Sequence, residues 1–468
     1  MTAASIAQKV ISFAYFTLIA RSIGVTGTGK YFFALSFTTV FVVFVDLGFT
    51  NVLIREVAKG KERAQGLLSL VFGSKIILGS LAYLAVVVAI NLLDYPIETR
   101  HLVYLSGVTM LFDSLHLTLY GVLRAFGDLK YEALSIPASQ LCSMILGSFF
   151  LFFHLPLVFL ILAFTIPSML NAGFAAIIVI RRYHLRLLPA YDWGNILSFA
   201  RLAFPFALSA IFARLYSYAD TILLSKMAGD AAVGWYSIPY KITFAFQFIP
   251  LALTAALYPR LSEYFVDDKK RLTDTFVQSI TYLLVVAVPI AFGISVLARP
   301  IILTLYKEEF LPSVVPLMIL IMSLLFSFIS FPIGAMLNAC NRQKTQTAIV
   351  GITLAVNIIL NLILIPRYGA TGAAIAAGVG NMLLALVGYS RIPAVTPLPH
   401  GRIVSIIARL ILSGATMSAV VWYVSVRVHF GFAILAGAVT YMAMLVLVRI
   451  VNRKELQSTY EKSFARHA

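Results

Sequence analysis

This sequence predicts an all-α integral membrane protein of about fourteen transmembrane helices, in two parallel six-helix repeats with two extra C-terminal helices. Three observations carry that expectation. First, 60% of the 468 residues are hydrophobic and only 12% are charged, whereas a soluble domain is about half apolar and about a quarter charged. Second, the apolar residues fall in uninterrupted runs of about 20, the length that crosses a bilayer as a helix. Third, the segment Arg21 to Arg55 is written again as Lys226 to Arg260, without a gap. Repeats of whole hydrophobic segments mark membrane proteins built from two related halves.

Taken in order, the runs lie at roughly 4–23, 31–53, 67–93, 101–123, 132–153, 157–180, 195–224, 234–258, 275–298, 312–338, 346–365, 371–390, 403–424 and 429–450. Stretches such as Leu81 to Ile90 do not alternate polar with apolar, so barrel strands are excluded. The first run is followed at once by a second and reads as a retained span rather than a cleaved leader. The net charge of +17 is explained by cations held in cytoplasmic loops, so no nucleic-acid partner is inferred. With the N-terminus inside, twenty-three cations fall on the side of both termini, eight on the other side, and five within spans: Lys75, Arg201, Arg214, Lys241 and Arg409. This asymmetry predicts a multi-pass protein of the cytoplasmic membrane with both termini cytoplasmic. Cys142 falls mid-span and Cys340 near the inner face, so no disulfide is expected between them.

The repeat sets the domain organisation: an N-lobe over 1–194, a C-lobe over 195–390, and helices thirteen and fourteen with a cytoplasmic tail over 391–468. Six spans per half is an even number, so both halves run the same way and form two lobes facing a shared cavity. A second echo agrees with this: Leu123-Arg124-Ala125 with Lys130 resembles Leu337-Asn338-Ala339 with Lys344. Where the repeats differ, Asp46 stands opposite Leu251, Asp220 opposite Tyr15, and Lys241 opposite Ser36. A charge within hydrocarbon costs a few kcal/mol. Charges kept in one half only are therefore better functional candidates than residues the halves share.

Several constellations carry chemistry. Gly24-Val25-Thr26-Gly27-Thr28-Gly29-Lys30 fits most of a phosphate-binding loop, but a spanning helix precedes it and Tyr31 follows the lysine. A nucleotide loop needs a preceding strand and a Ser or Thr there, so the segment reads as a turn. Asp113, His116, Tyr120 and Arg124 share one face of the fourth span. They form either a cavity wall that binds substrate or relays protons, or a seam of interhelical hydrogen bonds. On the seventh span, Pro205 permits a bend, and Ser209, Tyr216 and Asp220 share its face with Arg214 beside them. On the eighth, Tyr236, Tyr240, Thr243 and Gln247 form a stripe beside Lys241. Such a stripe suits a sugar surface as well as helix packing. Asp46 needs a partner, with Arg214, Lys241 and His116 as candidates. Small residues from Gly369 to Gly380 allow close helix contact. The candidate cavity residues are thus Asp46, Asp113, His116, Tyr120, Arg124, Arg214, Asp220, Tyr240 and Lys241.

At these residues the chain resembles a known family. Ala20-Arg21 with Gly24, Gly29 and Tyr31, then Asp46-Leu47-Gly48 and Arg55-Glu56, resemble the opening of polysaccharide-type flippases, including the Wzx-like O-antigen group. Asp220-Thr221-Ile222, Val233-Gly234-Trp235-Tyr236 and Tyr258-Pro259-Arg260 resemble that family's seventh and eighth helices. Ile365-Pro366 with Gly369 and Gly372 resembles its turn between helices eleven and twelve. The superfamily also holds MATE-type multidrug exporters and the lipid II flippase MurJ. The resemblance implies two lobes around a central cavity, alternating access, and an isoprenoid-pyrophosphate-linked oligosaccharide as cargo for surface polysaccharides such as the O-antigen of lipopolysaccharide. It also implies partners such as a glycan polymerase or glycosyltransferases. The early cation cluster of MurJ-like proteins is absent here, which disfavours lipid II as the cargo.

The residues point the same way. No loop has room for a catalytic domain, so the chain reads as a transporter rather than an enzyme, with no cofactor and no metal site. Arg124, Arg214 and Lys241 would attract a pyrophosphate, and Asp46, Asp113 and Asp220 are candidate ion or proton carriers. A cation-coupled multidrug exporter would want an acidic, aromatic site, and these candidates hold at least as many cations as carboxylates. A non-transporting scaffold would have no use for several unshared charges in its spans.

Overall fold

The computed structural model describes residues 2–450; the tail cations Arg453, Lys454, Lys462 and Arg466 lie outside the described residues. Fifteen α-helices follow one another, with no strand among the described residues. They are α1 Thr2–Asp46, α2 Phe49–Lys59, α3 Ala64–Leu92, α4 Ile97–Ala125, α5 Lys130–Phe152, α6 Leu157–Tyr183, α7 Trp193–Ala245, α8 Phe248–Asp267, α9 Lys269–Val296, α10 Ala298–Leu305, α11 Val314–Ala339, α12 Gln343–Tyr368, α13 Ala370–Arg391, α14 His400–Ser425 and α15 Phe430–Leu447.

Twelve helical stretches are long and apolar enough to cross a membrane. Two of them, Ile6–Asp46 with 41 residues and Ala207–Asp267 with 61, would run about 60 and 90 Å if straight, against about 30 Å of hydrocarbon. Each is in fact a helical hairpin. Gly24 takes φ 72°, ψ −177° and Gly229 takes φ 81°, ψ 178°. That backbone is open to glycine and strained for other residues. The chain folds back at each: the rings of Phe16 and Phe32 are 6.2 Å apart, and Tyr236 donates a hydrogen bond to Asp220. Sixteen residues of straight helix would separate either pair by about 24 Å. The twelve stretches therefore supply fourteen crossings. The turn expected over Gly24–Lys30 is a reversal at one residue, with helix resuming at Val25.

The two reversals lock together. A Cβ on Gly29 would lie 1.8 Å from the Asp230 carbonyl oxygen, and one on Gly234 would lie 2.2 Å from that of Val25. Gly234 and Asp230 are the repeat counterparts of Gly29 and Val25. Each hairpin thus presses the same carbonyl against the other's equivalent glycine. Tyr95 Oη to Ser225 Oγ (3.2 Å) and Lys226 Nζ to the Leu93 carbonyl (2.7 Å) join the turn before α4 to α7 just ahead of its reversal, and Lys30 pairs with Glu98 nearby.

The second echo also has a geometric basis. Gly127 (φ 82°) and Asn341 (φ 60°) are both left-handed. Asp128 N donates to the Leu123 carbonyl at 2.9 Å, and Arg342 N donates to that of Leu337 at 2.7 Å. Both are the left-handed stop that Gly and Asn favour at a helix end. Gly369 (φ 53°) makes the sharp turn between α12 and α13, and a Cβ on Gly372 would sit 2.4 Å from the Leu364 carbonyl oxygen.

Contacts divide the chain into two units, one of Met1–Lys241 with Val350–Ala373, the other of Ile242–Ile349 with Ala374–Ala468. In the first, α1 packs on α3, α4 and α5, and α4 on α6. Phe49, Leu53, Leu68, Leu119, Leu123 and Val179 form its core. In the second, α9 packs on α11 and α14, and α14 on α15, about Phe276, Leu284, Ile333, Met336, Leu410 and Leu445. Asp268 caps α9, its carboxylate accepting from Lys270 N and Arg271 N, which satisfies two otherwise orphaned donors.

Candidate functional site

The candidate residues fall into two groups, both within the first unit. One is a polar column along α1, α3, α4, α5 and α6. Lys75 Nζ lies 2.6 Å from Asp46 Oδ1 and donates to Ser114 Oγ at 2.7 Å and to the Ser114 carbonyl at 3.0 Å. Thr50 donates to the same carboxylate. The partner of Asp46 is therefore Lys75, not Arg214, Lys241 or His116. Lys75 and Asp46 meet because α3 packs on α1, a tertiary pairing that no helical spacing encodes.

The stripe on α4 faces α5 and α6. Tyr120 is buried, its hydroxyl 2.5 Å from both Asn171 Oδ1 and Ser135 Oγ. Arg124 clamps Glu132, which is 2% exposed, with Nε to Oε2 at 2.7 Å. Glu132 is not among the residues the sequence singles out, because it stands at the very start of the fifth span, where an acid reads as a solvated helix end. Its signal was there: an acid in the first turn of a helix, one turn beyond the stop that ends α4. Asp113 differs from its neighbours. Its side chain is 51% exposed, with His116 Nδ1 3.7 Å away and Ser168 donating to its carboxylate. It is half-exposed, while a hydroxyl and an imidazole hold its other side.

The second group lies in the hairpin of α7. Asp220 is buried and accepts from Tyr236 Oη and from Thr221 N at 3.0 Å. Tyr240 packs against Phe32, Tyr218 and Tyr236 with ring centroids 5.5, 6.1 and 6.2 Å away. Lys241 lies over the faces of Phe16 and Phe32 at 5.2 and 5.6 Å. No carboxylate lies within ion-pair distance of Lys241 or Arg214 among the described residues. Phe16 and Phe32, which complete the lysine's surroundings, were not singled out from the sequence because phenylalanine in a span reads as packing.

Charge pairing decides what each group can do. In the column, Asp46 and Lys75 cancel, as do Arg124 and Glu132. A buried pair of this kind is costly to break, because it leaves an uncompensated charge. In the hairpin, the Lys241 ammonium is set against aromatic faces, a weaker partner than a carboxylate, and remains able to attract an anion. Among the described residues, no three metal-binding side chains come together.

Residues 1–265 match the model of the family described as polysaccharide biosynthesis protein, and residues 205–363 match the MatE model. Over 260 residues the chain is 28% identical to the probable flippase AglR of Haloferax volcanii, a match covering 53% of this chain and 54% of that one. This match thus spans about half the length of that relative. Over 372 residues it is 22% identical to the probable low-salt glycan biosynthesis flippase Agl15 of the same organism, covering 78% and 76%. The fold is similar to that of the lipid II flippase MurJ in an inward closed conformation, with TM-score 0.79 at 19% identity over 96% of this chain and 99% of that one. The first of these matches takes in both repeat segments, the polar column and the Lys241 hairpin, and by it this chain, a multi-pass membrane protein, belongs to the polysaccharide biosynthesis protein family.

Proposed function

We propose that the chain is a flippase that carries an isoprenoid-pyrophosphate-linked oligosaccharide across the cytoplasmic membrane for surface polysaccharide assembly, by alternating access between two repeat-related lobes, 1–194 and 195–390. Residues 391–468 are the appended part, and both termini are cytoplasmic. The relatives named a probable flippase and a probable low-salt glycan biosynthesis flippase support the cargo class. One observation carries the site: among the in-span charges, Lys241 is met by aromatic rings instead of a carboxylate. An ammonium so placed attracts the pyrophosphate; Phe16 and Phe32 are buried beneath it, and the partly exposed Tyr240 offers its ring to the sugars. The lipid tail stays in the bilayer, so only the headgroup must be sheltered from about 30 Å of hydrocarbon. Arg214 supplies a second cation, and the half-exposed Asp113 is the coupling group, since protonating it removes a charge from the polar column. A glycan polymerase or glycosyltransferases act on either side of this step.

A cationic drug is disfavoured by the same lysine, which would repel it. The test is glycan export in a flippase-deleted strain complemented with Lys241→Ala, with protein abundance measured by immunoblot. Export is expected to fall at least about tenfold, the value of one charge-assisted contact, at unchanged abundance. Full export by Lys241→Ala would sink the assignment. Drug resistance conferred on an exporter-deficient strain would favour the exporter instead.

A further inference from the structure

The last two helices belong to neither repeat, yet they build a cationic pocket of their own in the second unit. Its cavity of about 310 Å³ is lined by Gln278 and Thr281 of α9, Arg402, Ser405 and Arg409 of α14, and Arg449 just past α15. Positions 278 and 281 share a face of α9, and 402, 405 and 409 share a face of α14, so two polar stripes meet along this edge. Three guanidiniums converge there. Among the described residues the only carboxylate paired with any of them is Asp274, 3.7 Å from Arg402.

Two features go beyond an arginine that merely reaches for water. Arg409 begins well inside α14 and donates from Nη1 to the Val448 carbonyl at 3.3 Å, one of the orphaned acceptors at the end of α15. That bond fixes the guanidinium and leaves its other donors directed elsewhere. Arg449 has φ 57°, and Ile450 N bonds back to the Leu445 carbonyl at 3.1 Å. This is a helix stop that glycine would fill without strain. An arginine there accepts about 1 kcal/mol of backbone strain and sets a cation at the pocket's rim.

We infer that this pocket binds the phosphate of an anionic membrane lipid. Guanidiniums match phosphate oxygens through paired donors, and basic pockets between spanning helices take lipid headgroups. The bilayer, not solution, is the source, because Val277, Tyr282, Ile406 and Ile450 line the pocket beside the arginines, and α14 and α15 carry exposed apolar side chains such as Leu412 and Leu447. Acyl chains of a lipid anchored at the arginines would lie along these. The end of α15 lies on the side that the loop charges assign to the cytoplasm. The bound lipid would tie α14 and α15 to α9 and replace the missing counter-charge.

The experiment uses the purified, delipidated full-length protein and its thermal unfolding in detergent. Phosphatidylglycerol is expected to raise the midpoint, phosphatidylcholine and inorganic phosphate are not. Arg409→Gln should weaken the apparent phosphatidylglycerol affinity about tenfold, the worth of one charge-assisted contact. Arg449→Gly keeps the left-handed stop and removes only the cation, so it should fold and show the same loss. Retention of the full shift in Arg449→Gly and Arg409→Gln would overturn the pocket. An equal shift with inorganic phosphate would overturn the lipid as ligand. Neither outcome depends on glycan transport, so this inference and the flippase assignment fail separately.

Discussion

The two hairpins share their backbone and differ in their chemistry. Both reverse at a glycine with φ near +75° and ψ near 180°, and both press a glycine against the other's carbonyl. At two positions inside that common frame the side chains part in chemistry. Tyr15 stands where the second hairpin has Asp220, and its buried hydroxyl has no hydrogen-bond partner among the described residues. Ser36 stands where the second has Lys241, and its hydroxyl is likewise buried without a partner. In the second hairpin, Asp220 accepts from Tyr236, whereas the first pairs Tyr15 with Tyr31 at those positions. The frame tolerates either set, so the polar set is not there to make the hairpin fold. The breaks that follow the hairpins differ too. The first lies at Leu47–Gly48, both left-handed. The second lies at Phe246–Gln247, where Pro250 withholds the N–H that would have continued the ladder.

Substitutions can break this comparison at its shared points or sharpen it at its unshared ones. The largest effect is expected from Gly29→Val and Gly234→Val. Each forces side-chain atoms into backbone that cannot turn aside, and each should destabilise by about 3 kcal/mol in thermal unfolding. Gly66→Val, where a Cβ meets nothing within 4 Å, is the control. Markedly unequal losses at the two glycines would contradict their equivalence. Next comes Asp220→Ala, which leaves the buried Tyr236 hydroxyl without its acceptor at about 1–3 kcal/mol. Adding Tyr236→Phe should recover part of that loss, and a double mutant no better than the single would deny the hydrogen bond. Gly24→Ala and Gly229→Ala should each cost about 1–2 kcal/mol for a left-handed non-glycine. A free substitution at either position would show that the reversal lies elsewhere. The smallest effect belongs to Tyr15→Phe, neutral or stabilising by up to about 1 kcal/mol. A clear loss of stability there would reveal a partner for that hydroxyl.

The frame was legible because repetition and hydropathy are local to the text. Gly24 and Gly369 are places where the chain itself must turn, and their residue type says so; the stops at Gly127 and Asn341 show in the sequence only as the shared spacing of the second echo. The charge partners were not legible in the same way. Asp46 could have met any of several cations, and Lys75 won through the packing of α3 on α1. The sequence offers Arg124 to an anionic cargo, yet Glu132 lies just beyond the next turn and takes both edges of the guanidinium. Lys241, by contrast, was marked by its mismatch with Ser36, and it is the candidate cation that the fold leaves among rings.

The reciprocal contact of Gly29 with the Asp230 carbonyl and Gly234 with the Val25 carbonyl has a historical consequence. It is isologous: each partner offers the same surface and receives the same surface, as in a twofold dimer. A contact of that kind needs no second sequence to invent it. Two separate copies of one unduplicated hairpin could have met in this way, and fusing their genes would then have freed the copies to diverge, one holding Ser36 and the other Lys241, without losing the contact that aligns them.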